Sequence, residues 1–118
     1  MENLFDQLEE IHVAAWNEKD QKKRKELLEK IYADDIKMYD KDLILEGLEA
    51  VSDFIGKLIV EDSSYKFSKA KPIEPLQNGA RLFGHIQTGV GMMNSMDFFL
   101  TEKGKVKYLY AFIDPAIY

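Results

Sequence analysis

The chain has no cysteine, which excludes disulfides, thiolate metal sites, iron–sulfur clusters and thiol nucleophiles, and leaves its chemistry to oxygen and nitrogen groups. Histidine occurs only as His12 and His85, with no H-x-H or H-E-x-x-H spacing, so no metal site and no cofactor is expected. No apolar run approaches bilayer length, and Met1 to Glu10 is acidic and amphipathic where a leader would be cationic and then apolar. A cytoplasmic protein without a membrane partner is expected. Positive charge is the minority: 16 Lys+Arg against 21 Asp+Glu give a net charge of −5, which repels phosphate backbones and makes nucleic acid a poor partner. The one cationic stretch, Lys19 to Lys25, is interleaved with Asp20, has no neighbouring aromatics, and reads as a solvated helix face. Phosphate-binding glycine loops and nucleophile-elbow serines are also missing.

What is present is ample core material, with 46% apolar and 12% aromatic residues in 118, enough for one domain spanning 1–118. Leu4, Leu8, Ile11 and Ala15, with Phe5, His12 and Trp16 alongside, predict an amphipathic helix from about Glu2 to Asn17. Asp20 is the expected N-cap of a second helix that carries Leu27, Leu28, Ile31 and Tyr32 inward and stops near Ala33-Asp34-Asp35. Ile36 to Asp40 alternates as a strand, Lys41-Asp42 turns it, and Leu43-Ile44-Leu45 completes a hairpin. A third helix follows Gly47 through Leu48, Val51, Phe54, Ile55, Leu58 and Ile59. From Tyr65 onward, four β-prone segments read as an antiparallel meander, giving an α+β plan with helices on one face of a curved sheet.

A sheet curled around helices leaves a pocket where its concave face is not filled. In the last strand Leu109, Ala111 and Ile113 fall on one face and Tyr108, Tyr110 and Phe112 on the other. With the aliphatic set inward, the three aromatics lie outside, and a homodimer through that face is expected; the swapped parity would make the aromatics pocket liners. Carboxylates in apolar strand context need a reason or a partner. Asp40 and Asp97 are the two such residues, and Asp114 beside Pro115 is a weaker third.

Tyr32-Ala33-Asp34-Asp35-Ile36-Lys37-Met38-Tyr39-Asp40, the helix opening at Gly47, and Met96-Asp97-Phe98-Phe99-Leu100-Thr101-Glu102-Lys103-Gly104-Lys105-Val106 resemble the SnoaL-like branch of the NTF2-like superfamily, which includes ketosteroid isomerases and polyketide cyclases. The resemblance covers nearly the whole chain. It implies a cone-shaped barrel of three helices packed on a curved, mostly antiparallel sheet, with a pocket for a small hydrophobic molecule. It also implies that Asp40 stands where an isomerase carries its general base and Asp97 where the protonated oxyanion-hole aspartate sits. The chain departs from that pattern in having Trp16 in place of the oxyanion-hole tyrosine and Ile55 near a supporting one, while Tyr32 is kept.

The expected site is therefore Asp40 and Asp97 for acid–base work, with Trp16, Tyr32 and His12 at the pocket mouth and Ile55, Met93, Ser95, Phe99, Leu109, Ala111 and Ile113 as walls. Asp40 equally suits a cap on the hairpin turn, Asp97 a buried structural hydrogen bond to Trp16 or Tyr32, and His12 an edge position. The function expected is cofactor-free isomerase, cyclase or dehydratase chemistry on a carbonyl-bearing molecule; the alternative is a noncatalytic ligand-binding or protein-interaction module.

Overall fold

A computed structural model describes residues 4–114; the expected helix start at Glu2 and the Pro115 neighbour of Asp114 lie outside the described residues. Helix α1 spans Leu4–Ala15 and buries Leu8, His12 and Ala15. Helix α2 spans Gln21–Ile31, its first turn capped by the Asp20 carboxylate, which accepts from Lys23 N at 2.9 Å. Arg24 departs from the expected solvated face. It is buried, with Nε donating to Ser52 Oγ at 3.0 Å and Nη1 to the Glu18 carbonyl at 2.9 Å, so it ties α2 to α3 (Leu48–Glu61) and to the loop before it.

Strand β1 starts earlier than the alternation indicates, at Tyr32, and runs to Tyr39. Tyr32 pairs with Val106, and the segment that reads as a helix end is a strand with an irregularity between Tyr32 and Lys37. β2 (Ile44–Glu46) closes the expected hairpin. The later region holds five strands where four segments are expected: β3 (Lys66–Lys69), β4 (Glu74–Leu76), β5 (Gly79–Thr88), β6 (Gly91–Glu102) and β7 (Lys105–Ile113). Both β3 and β4 pair with β5, and Pro72 lies in the break between them, where a ladder would need the N–H it lacks.

The strand order is β2-β1-β7-β6-β5-β3, antiparallel except for the parallel pair β1 and β7. The sheet is open and curved, and it falls short of closing as a barrel. Lys103 and Gly104, both with positive φ, make the two-residue turn from β6 to β7, of the kind whose twist suits a hairpin. A register shift at Leu100/Thr101 leaves Lys107 unpaired with β6, a bulge that sharpens the curl and sets the parity of the rest of β7.

That parity buries Leu109 and Ala111 against the helices and turns Tyr108, Tyr110 and Phe112 to the convex face. One continuous core joins Leu8, Leu28, Ile31, Ile36, Val51, Ile55, Leu82, Phe99, Val106 and Leu109. Large residues fill the concave face there, while Ser95 and Ala111, further along β6 and β7, are small and leave space. Among the described residues no helix is long and apolar enough to cross a membrane.

Candidate functional site

The space left by those small residues is a cavity of about 150 Å³ between the concave sheet, α3 and the end of α1. Both acidic residues singled out in the sequence border it: Asp97 on β6 and Asp40 just beyond β1. Trp16, Met93, Ser95, Ala111 and Ile113 also line it, whereas Tyr32, Ile55, Phe99 and Leu109 are fully buried core outside its wall. His12 is not at a mouth or an edge. It is 1% exposed and sits behind Asp97, with its ring edge-on to Phe99 and Phe67 at centroid distances of 5.0 and 5.6 Å.

Four side chains form one hydrogen-bonded row. Trp16 Nε1 donates to the Tyr32 hydroxyl at 3.0 Å, that hydroxyl lies 2.6 Å from His12 Nδ1, and His12 Nε2 lies 3.1 Å from Asp97 Oδ2. Proton bookkeeping fixes the directions. The indole only donates, so the Tyr32 oxygen accepts from it and its single hydrogen goes to His12 Nδ1. The imidazole then carries its hydrogen on Nε2 and donates to Asp97. Reversing the His12–Asp97 bond would aim the imidazole hydrogen at Tyr32 and leave the hydroxyl hydrogen with no acceptor. Asp97 Oδ2 is thus the acceptor of this row, at the end of three donors aligned toward it. Among the described residues its Oδ1 has no hydrogen-bond partner.

Burial, opposed by the Trp16 hydrogen bond and reinforced by the charge of Asp97, pushes the Tyr32 hydroxyl well above its ordinary pKa. It therefore stays protonated as the row requires. Tyr65 is likewise raised, by burial first and by the charge of Asp97 second, and donates to the Trp16 carbonyl at 2.7 Å.

Asp40 has a divided role. Its Oδ1 accepts from Asp42 N at 2.8 Å and Leu43 N at 2.9 Å, so it holds the β1–β2 turn while also bordering the cavity and a surface groove beside Lys41 and Tyr110. Asp114 belongs to that groove and not to the cavity.

Sequence reasoning missed part of the wall. Phe54, Leu58 and Asp62 line it at successive spacings of four on and just after α3, and that spacing was the available signal. Asp62 accepts from Ser64 N and Gly89 N, each at 2.9 Å, tying the end of α3 to the β5–β6 turn. Tyr65, Phe67, Ile86 and Thr88 follow pleat parity on and beside β3 and β5, and Met38 does so on β1. Phe67 is placed by Asn17, whose amide group bonds both its N–H and its carbonyl, at 2.8 and 2.7 Å, as a strand would; nothing in the linear sequence marks that clamp.

Comparison with family models and with curated proteins finds no match. Solved structures do match. A SnoaL-like family protein from Agrobacterium tumefaciens strain C58 superposes with a TM-score of 0.83 at 20% identity, over 95% of this chain and 98% of that one. An NTF2-like protein of unknown function from Cytophaga hutchinsonii gives 0.75 at 16%, over 98% and 94%. A protein with a ketosteroid isomerase-like fold from Catenulispora acidiphila, in complex with trimethylamine, gives 0.71 at 10%, over 86% and 81%. The chain has the NTF2-like fold, and at these identities the likeness speaks for the fold alone.

Proposed function

We propose that the cavity binds a small organic molecule and that Asp97 exchanges a proton with it, in cofactor-free isomerase or lyase chemistry beside a carbonyl, in the cytoplasm. The observation that carries this reading is the division between the two oxygens of Asp97: Oδ2 is held by His12, and Oδ1, on a carboxylate bordering the cavity, has no partner among the described residues. A carboxylate held this way is a general base. Abstraction breaks a C–H bond, the electron pair moves into a C=C bond and the carbonyl π pair onto oxygen, and the proton rests on Asp97 until it returns to another carbon. Isomerisation of this kind consumes no oxidant or reductant. Asp40, whose Oδ2 has no hydrogen-bond partner among the described residues, passes protons between the site and solvent.

A cavity of about 150 Å³ supports a guest near the size of benzene and not a steroid, since drug-sized ligands take pockets of roughly 300–1,000 Å³. Trimethylamine, held by the Catenulispora protein, is within that size. The test is α-carbon deuterium exchange of small cyclic ketones and enones, followed by NMR. The expected result is exchange above the buffer rate that falls about 10²- to 10⁴-fold in Asp97→Asn, whose amide oxygen still accepts from His12. Exchange at the buffer rate in the wild type, or an unaltered Asp97→Asn, would overturn the catalytic reading in favour of a noncatalytic binding module. That second reading is favoured by the bonds Asp40 spends on its own turn.

The partner in this proposal is a second copy of the chain, docked through the convex sheet face. Tyr39 and Tyr110 stack there with centroids 5.0 Å apart, Phe98 packs beside Tyr110, and Phe112 is 59% exposed, more aromatic surface than a small monomer ordinarily leaves in water.

A further inference from the structure

We infer that the guest selected by this cavity carries a positively charged nitrogen: a small alkylammonium head, protonated or quaternary. The inference rests on the preceding reading only in taking the cavity as the ligand site. Three carboxylates, from Asp40, Asp62 and Asp97, contribute to the wall, and among the described residues no Lys, Arg or His does. Among the described residues no group of three or more acidic or imidazole side chains is gathered closely enough to hold a metal ion, so the charge is spread around the wall. The rings of Trp16, Phe54, Tyr65 and Phe67 share the rest of the wall with aliphatic side chains such as Leu58 and Ile86, and the electron-rich faces of such rings attract organic cations.

The hydrogen-bond donors of the wall point the same way. Trp16 Nε1 is spent on Tyr32, the Tyr65 hydroxyl on the Trp16 carbonyl, and Thr88 Oγ1 on the Gly91 carbonyl. An anion entering this space would meet three carboxylates and almost no free N–H or O–H. A cation meets oxygens that have no hydrogen-bond partner among the described residues: Asp97 Oδ1, Asp40 Oδ2 and, independently of any charge, Ser95 Oγ. Ser95 is 5% exposed, lines the cavity, and its buried hydroxyl has no partner among the described residues. A buried polar atom of that kind calls for a ligand group. Burying a cation among rings is costly unless it is paired, and the carboxylates provide the pairing. The inference also answers a difficulty of the proton-transfer reading. The wall offers little to stabilise an enolate, and a positive nitrogen near the carbonyl of the substrate would supply that stabilisation itself.

The test is calorimetric titration of the full chain, at constant ionic strength, with three probes of one shape: choline, its neutral isostere 3,3-dimethylbutan-1-ol, and the anion 3,3-dimethylbutanoate. Choline is expected to bind at least about tenfold more tightly than the alcohol, a difference of about 1.4 kcal/mol, and the anion not at all. Asp97→Asn is expected to remove most of that preference while keeping the far-ultraviolet circular dichroism spectrum, and Ser95→Ala to weaken choline binding with the fold intact. Asp114→Asn, a carboxylate outside the cavity, is expected to leave it unchanged. Equal or tighter binding of the alcohol or the anion, no binding of any probe, or a loss in Asp114→Asn matching that in Asp97→Asn would each overturn the inference. Ketone exchange that depends on Asp97 but shows no choline preference would sink this inference and leave the proton-transfer reading standing. Choline preference without any exchange would do the reverse.

Discussion

Removing the Tyr32 hydroxyl while keeping its ring strands two buried groups at once. Trp16 Nε1 loses its acceptor and His12 Nδ1 loses its donor, since both meet at that single oxygen. A buried polar group left without a partner costs about 1–3 kcal/mol. Trp16, 7% exposed, borders the cavity, so its share is set at the low end; His12, 1% exposed and boxed by Phe67 and Phe99, borders no such space. The ring stays, so no cavity penalty adds to the sum, and Tyr32→Phe is expected to cost about 2–4 kcal/mol. For a domain of this size that lowers the melting temperature by roughly 8–16 °C. Urea unfolding followed by circular dichroism measures it, with a lowered midpoint and an unchanged slope expected. Tyr65→Phe serves as the reference, because it forfeits only the bond to the Trp16 carbonyl and is expected to cost about 1 kcal/mol. In a His12→Phe background the cost of Tyr32→Phe is expected to shrink, because the nitrogen it strands is gone. A Tyr32→Phe protein within about 0.5 kcal/mol of wild type, or full additivity with His12→Phe, would refute the ordered donor row.

Gly84→Ala is expected to destabilise by about 1–3 kcal/mol and to disturb the cavity, because a Cβ there meets Phe67 Cε1 at 2.8 Å and Ser95 Oγ at 2.9 Å; chemical denaturation reads the first effect and choline titration the second. Glu9 is desolvated, yet the Ile73 N–H and Lys69 hold its pKa below the ordinary 4.5, so its contribution is complete above that pH and lost as pH falls through the lowered value. The stability difference between wild type and Glu9→Gln is therefore expected to be flat across neutral pH and to shrink only below 4.5; a difference that shrinks on the alkaline side would contradict the assignment. Tyr110→Lys, placed in the aromatic cluster of the convex face, is expected to convert a dimer to a monomer by light scattering, and an unchanged mass would count against that face as the interface.

The elements were legible where burial periodicity was strong and local. Leu8, His12 and Ala15 on α1 and Val51 and Ile55 on α3 are inward at helical spacing, and Asp20 caps α2 as its type and place indicate. The start of β1 was not legible, because Tyr32 continues the inward stripe of α2 while pairing with Val106, seventy-four positions away, and tertiary pairing outweighed local pattern. The same holds for Arg24, whose burial depends on Ser52 on another helix. At the site, the residue types were visible and the hydrogen-bond directions were not. Asp97 stood out because it interrupts an apolar strand, but its role as an acceptor depends on His12, 85 positions distant, and on Tyr32 passing the polarity along.

That polarity is what connects the fold to the chemistry. Three donors, from α1, the turn after it and β1, are aligned on one carboxylate of β6, and the indole at the far end of the row returns to the cavity wall. Each bond in such a row strengthens the next, and the row points toward a wall whose charged side chains, among the described residues, are carboxylates. A catalyst built on an oxyanion hole needs the opposite polarity, with donors facing the ligand. Trp16 spends its N–H on Tyr32, and among the described residues the one fully buried hydroxyl left at the cavity without a partner is that of Ser95. On the proposed reading, the cavity favours a ligand that brings positive charge with it over one that must have negative charge stabilised.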